Sequence, residues 1–244
     1  MTEMPMTATK RVLIVASNPA TSPVTGWPIG FWWAELTHPY AEFHEAGYRI
    51  DIVSSDGGDL VGDGYSDPED ASGYSADDFL SLGFKHSPKF AALLDNTPSV
   101  AAVSPADYDA ILVIGGQGPM VTMIDNDAVH RLVAAFYEAG KITALICHGT
   151  CVLLKTRLSS GELLCAGKTW TGFADSEETY AESYAGTKIQ PFWIGSEARK
   201  IVGTNYVAGP AFAPFAVRDG TLITGQQQNS GRAAARLMIE ALGR

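Results

Sequence analysis

The chain has 244 residues, of which 46% are hydrophobic and 18% are charged, a composition that supports one large globular domain with an ample core. Its 17 Lys and Arg residues against 27 Asp and Glu residues give a net charge of −10. Adjacent basic residues occur only as pairs, such as Lys10 and Arg11, and no larger basic cluster is present. Nucleic acids and anionic membranes both require clustered basic residues, so we expect neither as a partner.

The cysteines, Cys147, Cys151 and Cys165, follow neither a disulfide framework nor a zinc-binding spacing. An odd number of thiols without such a pattern favours a reducing compartment. The N-terminal residues MTEMPMTATKR lack the apolar core of a signal peptide, and no apolar run reaches the roughly 18 residues of a membrane span. We therefore expect a cytoplasmic protein.

Strands and helices alternate from the start of the chain. The apolar run in RVLIVAS (11–17) predicts a strand that is buried on both faces of a parallel sheet. The sequence FWWAELTHPYAEFHEAGY (31–48) predicts an amphipathic helix that ends at Gly47, with a kink or the start of a new turn at Pro39. The next strand is predicted at RIDIVSS (49–55).

The segment 56–85 is rich in Gly, Asp and Ser and predicts a cap or insert with little regular structure. The segment 126–141 predicts a helix that Asn126 and Asp127 cap and Gly140 stops. The other predicted elements are a short helix near 86–95, a strand within 108–118, a strand and helix within 142–156, strands near 163–171, 200–207, 214–218 and 221–224, and a helix over 229–242. This order predicts one α/β domain over 1–244 with a doubly wound, mostly parallel sheet.

Two predicted strands end in unusual residues. ALICHG places Cys147 and His148 where a strand turns into a helix, and YDAILVIGGQG ends in a turn that contains Gly116, Gln117 and Gly118. A cysteine on such a turn is exposed near a helix N-terminus, which lowers a thiol pKa. The glycine-rich turn can direct backbone N–H groups toward an oxyanion, although glycine doublets also serve simply as tight turns.

The order of the histidines restricts the choice of a catalytic base. The histidines are His38, His44, His86, His130 and His148, and none follows His148. An α/β-hydrolase or a triad glutaminase needs its histidine downstream of the nucleophile, so both classes are excluded. His148 is the base that the sequence places beside Cys147. Cys151 and Cys165 are predicted to be core residues.

Carboxylates complete the set of candidate residues. Glu35 lies among aromatic residues on the first predicted helix, where burial raises a carboxyl pKa and suits a proton relay. Asp175, Glu177 and Glu178 open another predicted helix, where acidic residues also serve as N-terminal caps. A metal site from Glu35 with the two histidines of its helix fits no standard spacing, and no cofactor motif is present. We expect neither metal nor cofactor.

These segments together resemble the DJ-1/PfpI superfamily, and most closely its Hsp31-like branch. The resemblance covers nearly the whole chain and rests on ELTHPYAEF, YDAILVIGGQGPM, ALICHG, GKTWTGFADSEE and PFAVRDGTLITGQQQNSG. It implies a flavodoxin-like sandwich with a nucleophile elbow and a homodimer. Where the branch often has Gly-His-Gly, this chain has Gly116-Gln117-Gly118.

The resemblance also implies roles for individual residues. Cys147 matches the nucleophile, His148 the adjacent catalytic histidine and Glu35 the carboxyl that contacts the sulfur. Glu178 matches the acid that orients the histidine, with Asp175 and Glu177 as open alternatives. Gly116 and its neighbours match the oxyanion turn.

The implied activity is that of a lyase of the glyoxalase III type. It converts methylglyoxal to lactate without glutathione, through a hemithioacetal on Cys147 and a proton relay by Glu35 or His148. Alternatives are isocyanide hydration, which His148 disfavours, deglycation or hydrolysis by the same thiol. A stress-response holdase or a redox sensor is a further alternative from a different class. The expected partner is a small carbonyl or related electrophile.

Overall fold

The computed structural model describes residues 9–243. The segment 1–8, in which the sequence predicts no signal peptide, and residue 244 lie outside the described residues. Within the described range the strands are β1 (Arg11–Ala16), β2 (Ala20–Thr21), β3 (Pro28–Ile29), β4 (Arg49–Ser54), β5 (Ala110–Val113), β6 (Ile142–Ile146), β7 (Thr169–Trp170), β8 (Asn205–Tyr206), β9 (Ala216–Asp219) and β10 (Leu222–Gly225). The α-helices are α1 (Trp33–Glu45), α2 (Phe79–His86), α3 (Pro88–Ala91), α4 (Pro119–Thr122), α5 (Asp127–Glu138), α6 (Asp175–Ala185), α7 (Ile194–Ala198) and α8 (Gly231–Leu242).

The central sheet has the strand order β4-β1-β5-β6-β10-β9. All neighbouring strands run parallel except β9, which is antiparallel to β10. The pairs β2–β3 and β7–β8 form separate two-stranded ribbons. The predicted doubly wound, mostly parallel α/β sheet is therefore confirmed.

Side chains along a strand point alternately to opposite faces of the sheet, and here both faces are buried. The two apolar cores that result lie on either side of the sheet. One core contains Leu13, Val15, Ile111, Val113, Val133 and Phe136. The other contains Val12, Ile14, Leu112, Leu36, Phe43 and Met238. The helices α5 on one face and α1 and α8 on the other thus complete a three-layer sandwich.

Pro39 lies inside α1, and the helix continues past it to Glu45. A proline in a helix interior removes one backbone hydrogen bond and costs about 3 kcal/mol. Buried side chains of α1, such as Leu36 and Phe43, offset that cost by packing in the core, and Pro39 itself packs where α8 begins at Gly231.

The segment 56–85 has more regular structure than the sequence predicts. It contains a 3-10 helix at Gly64–Ser66, and α2 begins within it because the Asp78 side chain accepts the Ser81 N–H and caps the helix. The short helix predicted near 86–95 is present as α3, which continues into a 3-10 helix at Ala92–Leu94. Ser87 is extended before Pro88, so α2 stops there and α3 begins as a new turn.

The carboxyl ends of β5 and β6 are neighbours in the sheet, with Val113 paired to Leu145. The glycine-rich turn and the Cys-His pair follow these two strands directly. The fold therefore brings both unusual strand ends to one edge. No helix within residues 9–243 combines the length and the apolar character that a membrane crossing requires.

Candidate active site

Cys147 occupies a strained position at the end of β6. Its φ angle is 53°, a left-handed conformation that a residue other than glycine adopts only when its surroundings impose it. The sequence predicts an α-helix after this turn, but Cys147–Leu154 forms a 3-10 helix. The thiol is 2% exposed and lines a cleft. The sharp bend thus presents the sulfur as a nucleophile elbow does.

The turn after β5 approaches Cys147 so closely that its first residue must be glycine. A Cβ atom on Gly115 would lie 2.8 Å from Cys147 Cβ, from Glu35 Oε2 and from the His148 backbone nitrogen. Gly116 follows with a φ of 96°, which favours glycine. This contact places backbone N–H groups beside the sulfur, and those of Gly116 and His148 interact with it.

The other two residues of the predicted oxyanion turn have different contacts. The Gln117 N–H donates to Asp63 Oδ2 at 2.6 Å, and the Gly118 N–H donates to the Gly30 carbonyl at 2.8 Å. Neither N–H is therefore available to an oxyanion. Gln117 still lines the cleft, and its buried Oε1 has no hydrogen-bond partner among the described residues. Gly116 is the residue of this turn that keeps the predicted donor role.

His148 links the thiol to a carboxylate. Its Nδ1 lies 3.5 Å from Cys147 Sγ, its Nε2 lies 3.0 Å from Glu178 Oε1, and its ring stacks on Phe173 at 4.2 Å. Burial lowers the pKa of the imidazole, but the Glu178 carboxylate opposes this effect and the pKa is raised overall. The two fixed ring nitrogens form a relay from sulfur to carboxylate.

Asp175 and Glu177, the alternatives to Glu178, form hydrogen bonds with other residues. Asp175 accepts hydrogen bonds from Ser196 and Arg199, and Glu177 accepts the N–H groups of Ala174 and Phe212 and the side-chain amide of Gln226. Of the three acids that the sequence leaves open, Glu178 is the one that contacts His148.

Glu35 is fully buried and does not line the cleft, but its carboxyl interacts with the Cys147 thiol. Its Oε2 accepts the Gly115 N–H at 2.7 Å, while its Oε1 has no hydrogen-bond partner among the described residues. Burial raises the pKa of Glu35 to about 7, and the interaction with Cys147 opposes this. The carboxyl is therefore poised between its protonated and ionised forms near neutral pH.

The predicted lowering of the thiol pKa is wrong. Burial and the neighbouring Glu35 carboxylate raise the pKa of Cys147, and the N–H groups of Gly116 and His148 oppose this only in part. The 3-10 helix that replaces the expected α-helix also has less well aligned peptide groups. A thiolate here therefore requires a proton acceptor, and Glu35 and His148 are the adjacent ones.

Asp63 is a buried residue of this site that the sequence does not predict. Its Oδ1 accepts the Gly30 N–H at 2.8 Å, and its Oδ2 accepts the Gln117 N–H. Burial raises its pKa to about 7. Asp63 thus ties the segment 56–85 to the glycine-rich turn. In the sequence it is one of many acidic residues in a segment without periodicity, so nothing distinguishes it.

A cleft opens beside Cys147, and Gly116, Gln117 and His148 line it together with the thiol. Its walls are mainly aromatic and include Trp27, Trp32, Tyr65, Tyr74, Tyr180 and Tyr184. The segment 56–85 contributes Tyr65 and Tyr74. Cys151 and Cys165 are buried in the apolar core, as predicted. Within the described part of the chain, no group of three His, Cys, Asp or Glu side chains could hold a metal ion.

The sequence model of the DJ-1/PfpI family matches residues 30–241. The chain belongs to the DJ-1/PfpI family. The match includes both strand ends, α1 and α6, so the DJ-1/PfpI region contains every candidate residue described above.

Curated relatives of this DJ-1/PfpI chain include proteins named as glyoxalases. It is 25% identical over 261 residues to the probable glutathione-independent glyoxalase hsp3103 of Schizosaccharomyces pombe, covering 97% of this chain and 100% of the relative. It is 27% identical over 221 residues to the glutathione-independent glyoxalase HSP31 of Saccharomyces cerevisiae, covering 89% and 91%. These relatives confirm the Hsp31-like resemblance.

Solved structures agree with the DJ-1/PfpI fold. The X-ray structure of the Rapid Encystment Protein 24 KDa of Francisella tularensis has a TM-score of 0.85 and 25% identity, covering 97% of this chain and 100% of that chain. The similarity extends over the sheet and over the elements that surround the cleft.

The Glu178→Gln variant of this DJ-1/PfpI chain is expected to lower the His148 pKa, because it removes the strongest charge that opposes burial and leaves only those of Glu35 and Asp63. NMR titration of the imidazole measures the change. Glu177→Gln is the matched control: it weakens the acceptor of three N–H groups and is expected to reduce thermal stability without moving the His148 pKa. An unchanged His148 pKa in Glu178→Gln would contradict the orienting role of Glu178.

Proposed function

We propose that this chain is a cytoplasmic, glutathione-independent glyoxalase that converts methylglyoxal and water into lactate. The supporting observation is the relay from Cys147 through His148 to Glu178, with the Glu35 carboxyl beside the sulfur and an open cleft in front of it. The relatives named as glutathione-independent glyoxalases support the same reaction. The unpaired state of the cysteines supports the cytoplasmic location.

The first step is the attack of sulfur on the aldehyde. Cys147 Sγ bonds to the aldehyde carbon of methylglyoxal, and the thiol proton passes to Glu35 or to Nδ1 of His148. The aldehyde oxygen becomes an oxyanion, which the N–H groups of Gly116 and His148 stabilise. Protonation of that oxygen gives a neutral hemithioacetal.

The second step moves a proton between two carbons. His148 lines the cleft and Glu35 does not, so we assign the transfer to His148. It removes the proton from the former aldehyde carbon to give an enediolate, then protonates the former ketone carbon to give a lactate thioester. Water cleaves the thioester, which releases lactate and restores the thiol. One carbon is oxidised and its neighbour reduced, so no external oxidant or reductant is needed.

The charge of the cleft supports independence from glutathione. Among the described residues no Lys or Arg lines it, and Glu178 contributes a negative charge. The carboxylates of a glutathione adduct would find no cationic partner there, and burying them unpaired is costly. Free aldehyde is therefore the better substrate.

The purified protein is expected to convert methylglyoxal to lactate without glutathione, and deuterium is expected on carbon 2 of lactate formed in D2O to the extent that His148 exchanges the proton with solvent before it returns it to carbon. NMR of the product measures both. Added glutathione is expected to slow the reaction, since it removes free aldehyde. Methylglyoxal that remains unconsumed would refute the proposal.

A further inference from the structure

The cleft has an aromatic wall, defined here as Trp32, Tyr65, Tyr74 and Tyr184. The ring centroids of Trp32 and Tyr74 are 6.0 Å apart, and those of Tyr65 lie 6.2 Å from Tyr74 and 6.4 Å from Tyr184. The rings come from the residue before α1, from the segment 56–85 and from α6. Three separate parts of the chain thus converge to build one apolar surface.

Much of this surface is left open to solvent. Tyr184 is 61% exposed and Tyr74 45% exposed, and Tyr180, which also lines the cleft, is 56% exposed. Clustered aromatic rings that remain exposed in a cleft are typical of a ligand site, because their burial by a ligand is favourable.

The aromatic wall lies within reach of a group attached to Cys147. The Tyr74 hydroxyl accepts a hydrogen bond from Gln228 Nε2 at 3.3 Å, and Gln228 also lines the cleft. Both Cys147 and Tyr74 line the same cleft. A substituent on the carbon next to a hemithioacetal would therefore extend toward these rings.

The aromatic wall is also more extensive than methylglyoxal can cover. Its four rings are neighbours along the cleft, with centroids 6.0 Å, 6.2 Å, 6.4 Å and 6.5 Å apart. The methyl group of methylglyoxal would leave most of the aromatic wall uncovered. A ring in place of that methyl group would cover it.

We propose that the preferred substrates are neutral α-oxoaldehydes that carry an aromatic substituent, with the ring against the aromatic wall and the aldehyde at Cys147. This inference rests on the proposed glyoxalase function and specifies its substrate class. For phenylglyoxal the same steps consume one water and give mandelate, so the atoms and electrons balance as they do for lactate.

The test compares phenylglyoxal with methylglyoxal on the wild-type protein. Each kcat/KM is divided by the rate at which the same aldehyde adds to 2-mercaptoethanol, which removes the difference in intrinsic reactivity. The corrected ratio is expected to favour phenylglyoxal by at least about tenfold. A ratio of one or less, with methylglyoxal still consumed, would overturn this inference alone. Failure to consume either aldehyde would overturn the proposed function itself.

Variants of exposed aromatic residues test whether the preference for phenylglyoxal arises from the aromatic wall. Tyr184→Ala is expected to lower kcat/KM for phenylglyoxal about tenfold and to change that for methylglyoxal much less. Phe79→Ala removes an aromatic ring that is 74% exposed and lies outside the cleft wall, so it is the matched control and is expected to change neither value. Equal losses for both aldehydes in Tyr184→Ala would contradict the role of the aromatic wall.

Discussion

The Cys147→Ala variant is expected to lower the rate of lactate formation by a factor of about 10⁴ or more, because it removes the sulfur that bonds to the aldehyde carbon in the proposed first step. Alanine keeps the Cβ atom, so the strained φ of 53° and the close contact with Gly115 are retained. The variant is therefore expected to fold like the wild type. Lactate formation and thermal unfolding, measured on the same preparation, check both statements.

Cys151→Ala is the matched control for this prediction. Cys151 is also buried, four residues further along, but its thiol contacts the Pro119 carbonyl at 3.5 Å and does not line the cleft. Its loss leaves a small cavity, so we expect a modest fall in stability and little change in rate. Methylglyoxal consumed equally fast by Cys147→Ala would contradict the thiol mechanism. Suppression of client aggregation by that variant would support the holdase alternative instead.

Local patterns in the sequence predict the parts of the fold that depend on local contacts. The apolar run of β1 and the helix α5, whose start is capped by Asn126, are both where the sequence places them. The Cys147–His148 pair is at the end of a buried strand for the same reason: a run of apolar residues stops there. These features require no knowledge of distant residues.

The remaining features of the site depend on contacts between distant segments. Asp63 and Gln117 are 54 residues apart, and only the folded chain shows that they share a hydrogen bond. The pKa of Cys147 is raised, whereas the sequence predicts that it is lowered. Burial and the Glu35 carboxylate, which belongs to another element, outweigh the effect of the backbone N–H groups near the thiol. The aromatic wall likewise joins three separate parts of the chain, and spacing along the sequence contains no signal for it.

The Glu35→Gln variant is expected to lose activity and part of its dependence on pH near 7. The Cys147–Glu35 pair is productive when it holds one proton, since thiol with carboxylate and thiolate with carboxylic acid can then interconvert. The pKa of Glu35 is about 7, so wild-type kcat/KM is expected to rise as pH increases through that value. In Glu35→Gln the contribution of Glu35 to this rise is expected to disappear, which leaves only the deprotonation of His148, and kcat/KM is expected to be lowered by roughly 10².

Rate profiles from pH 5 to 9 on both proteins measure the effect. Asp63 titrates in the same range, but it accepts two backbone N–H groups and does not line the cleft, so its contribution to the profile is expected to be small. A rise near pH 7 that persists unchanged in Glu35→Gln would show that another group controls the proton.

The Glu35→Gln substitution is also expected to stabilise the fold at neutral and higher pH. A carboxyl whose pKa is about 7 in the folded chain and near 4.5 when unfolded binds more protons in the folded state between these values, so the free energy of unfolding falls as pH rises through that range. Above pH 7 the loss amounts to about 3 kcal/mol. The Glu35→Gln variant would avoid this loss, because the amide is neutral at every pH and its oxygen can still accept the Gly115 N–H.

Chemical denaturation at pH 5 and pH 8 tests this linkage, with an expected stabilisation that is larger at pH 8 by roughly 2 kcal/mol. Asp63→Asn is the matched contrast, because Asp63 also has a pKa of about 7. Both of its oxygens accept backbone N–H groups, so an amide NH2 would oppose one of these donors and the variant is expected to be destabilised. Glu35 has a free oxygen where the amide nitrogen can lie. A Glu35→Gln variant that is no more stable than the wild type at pH 8 would contradict the raised pKa of Glu35.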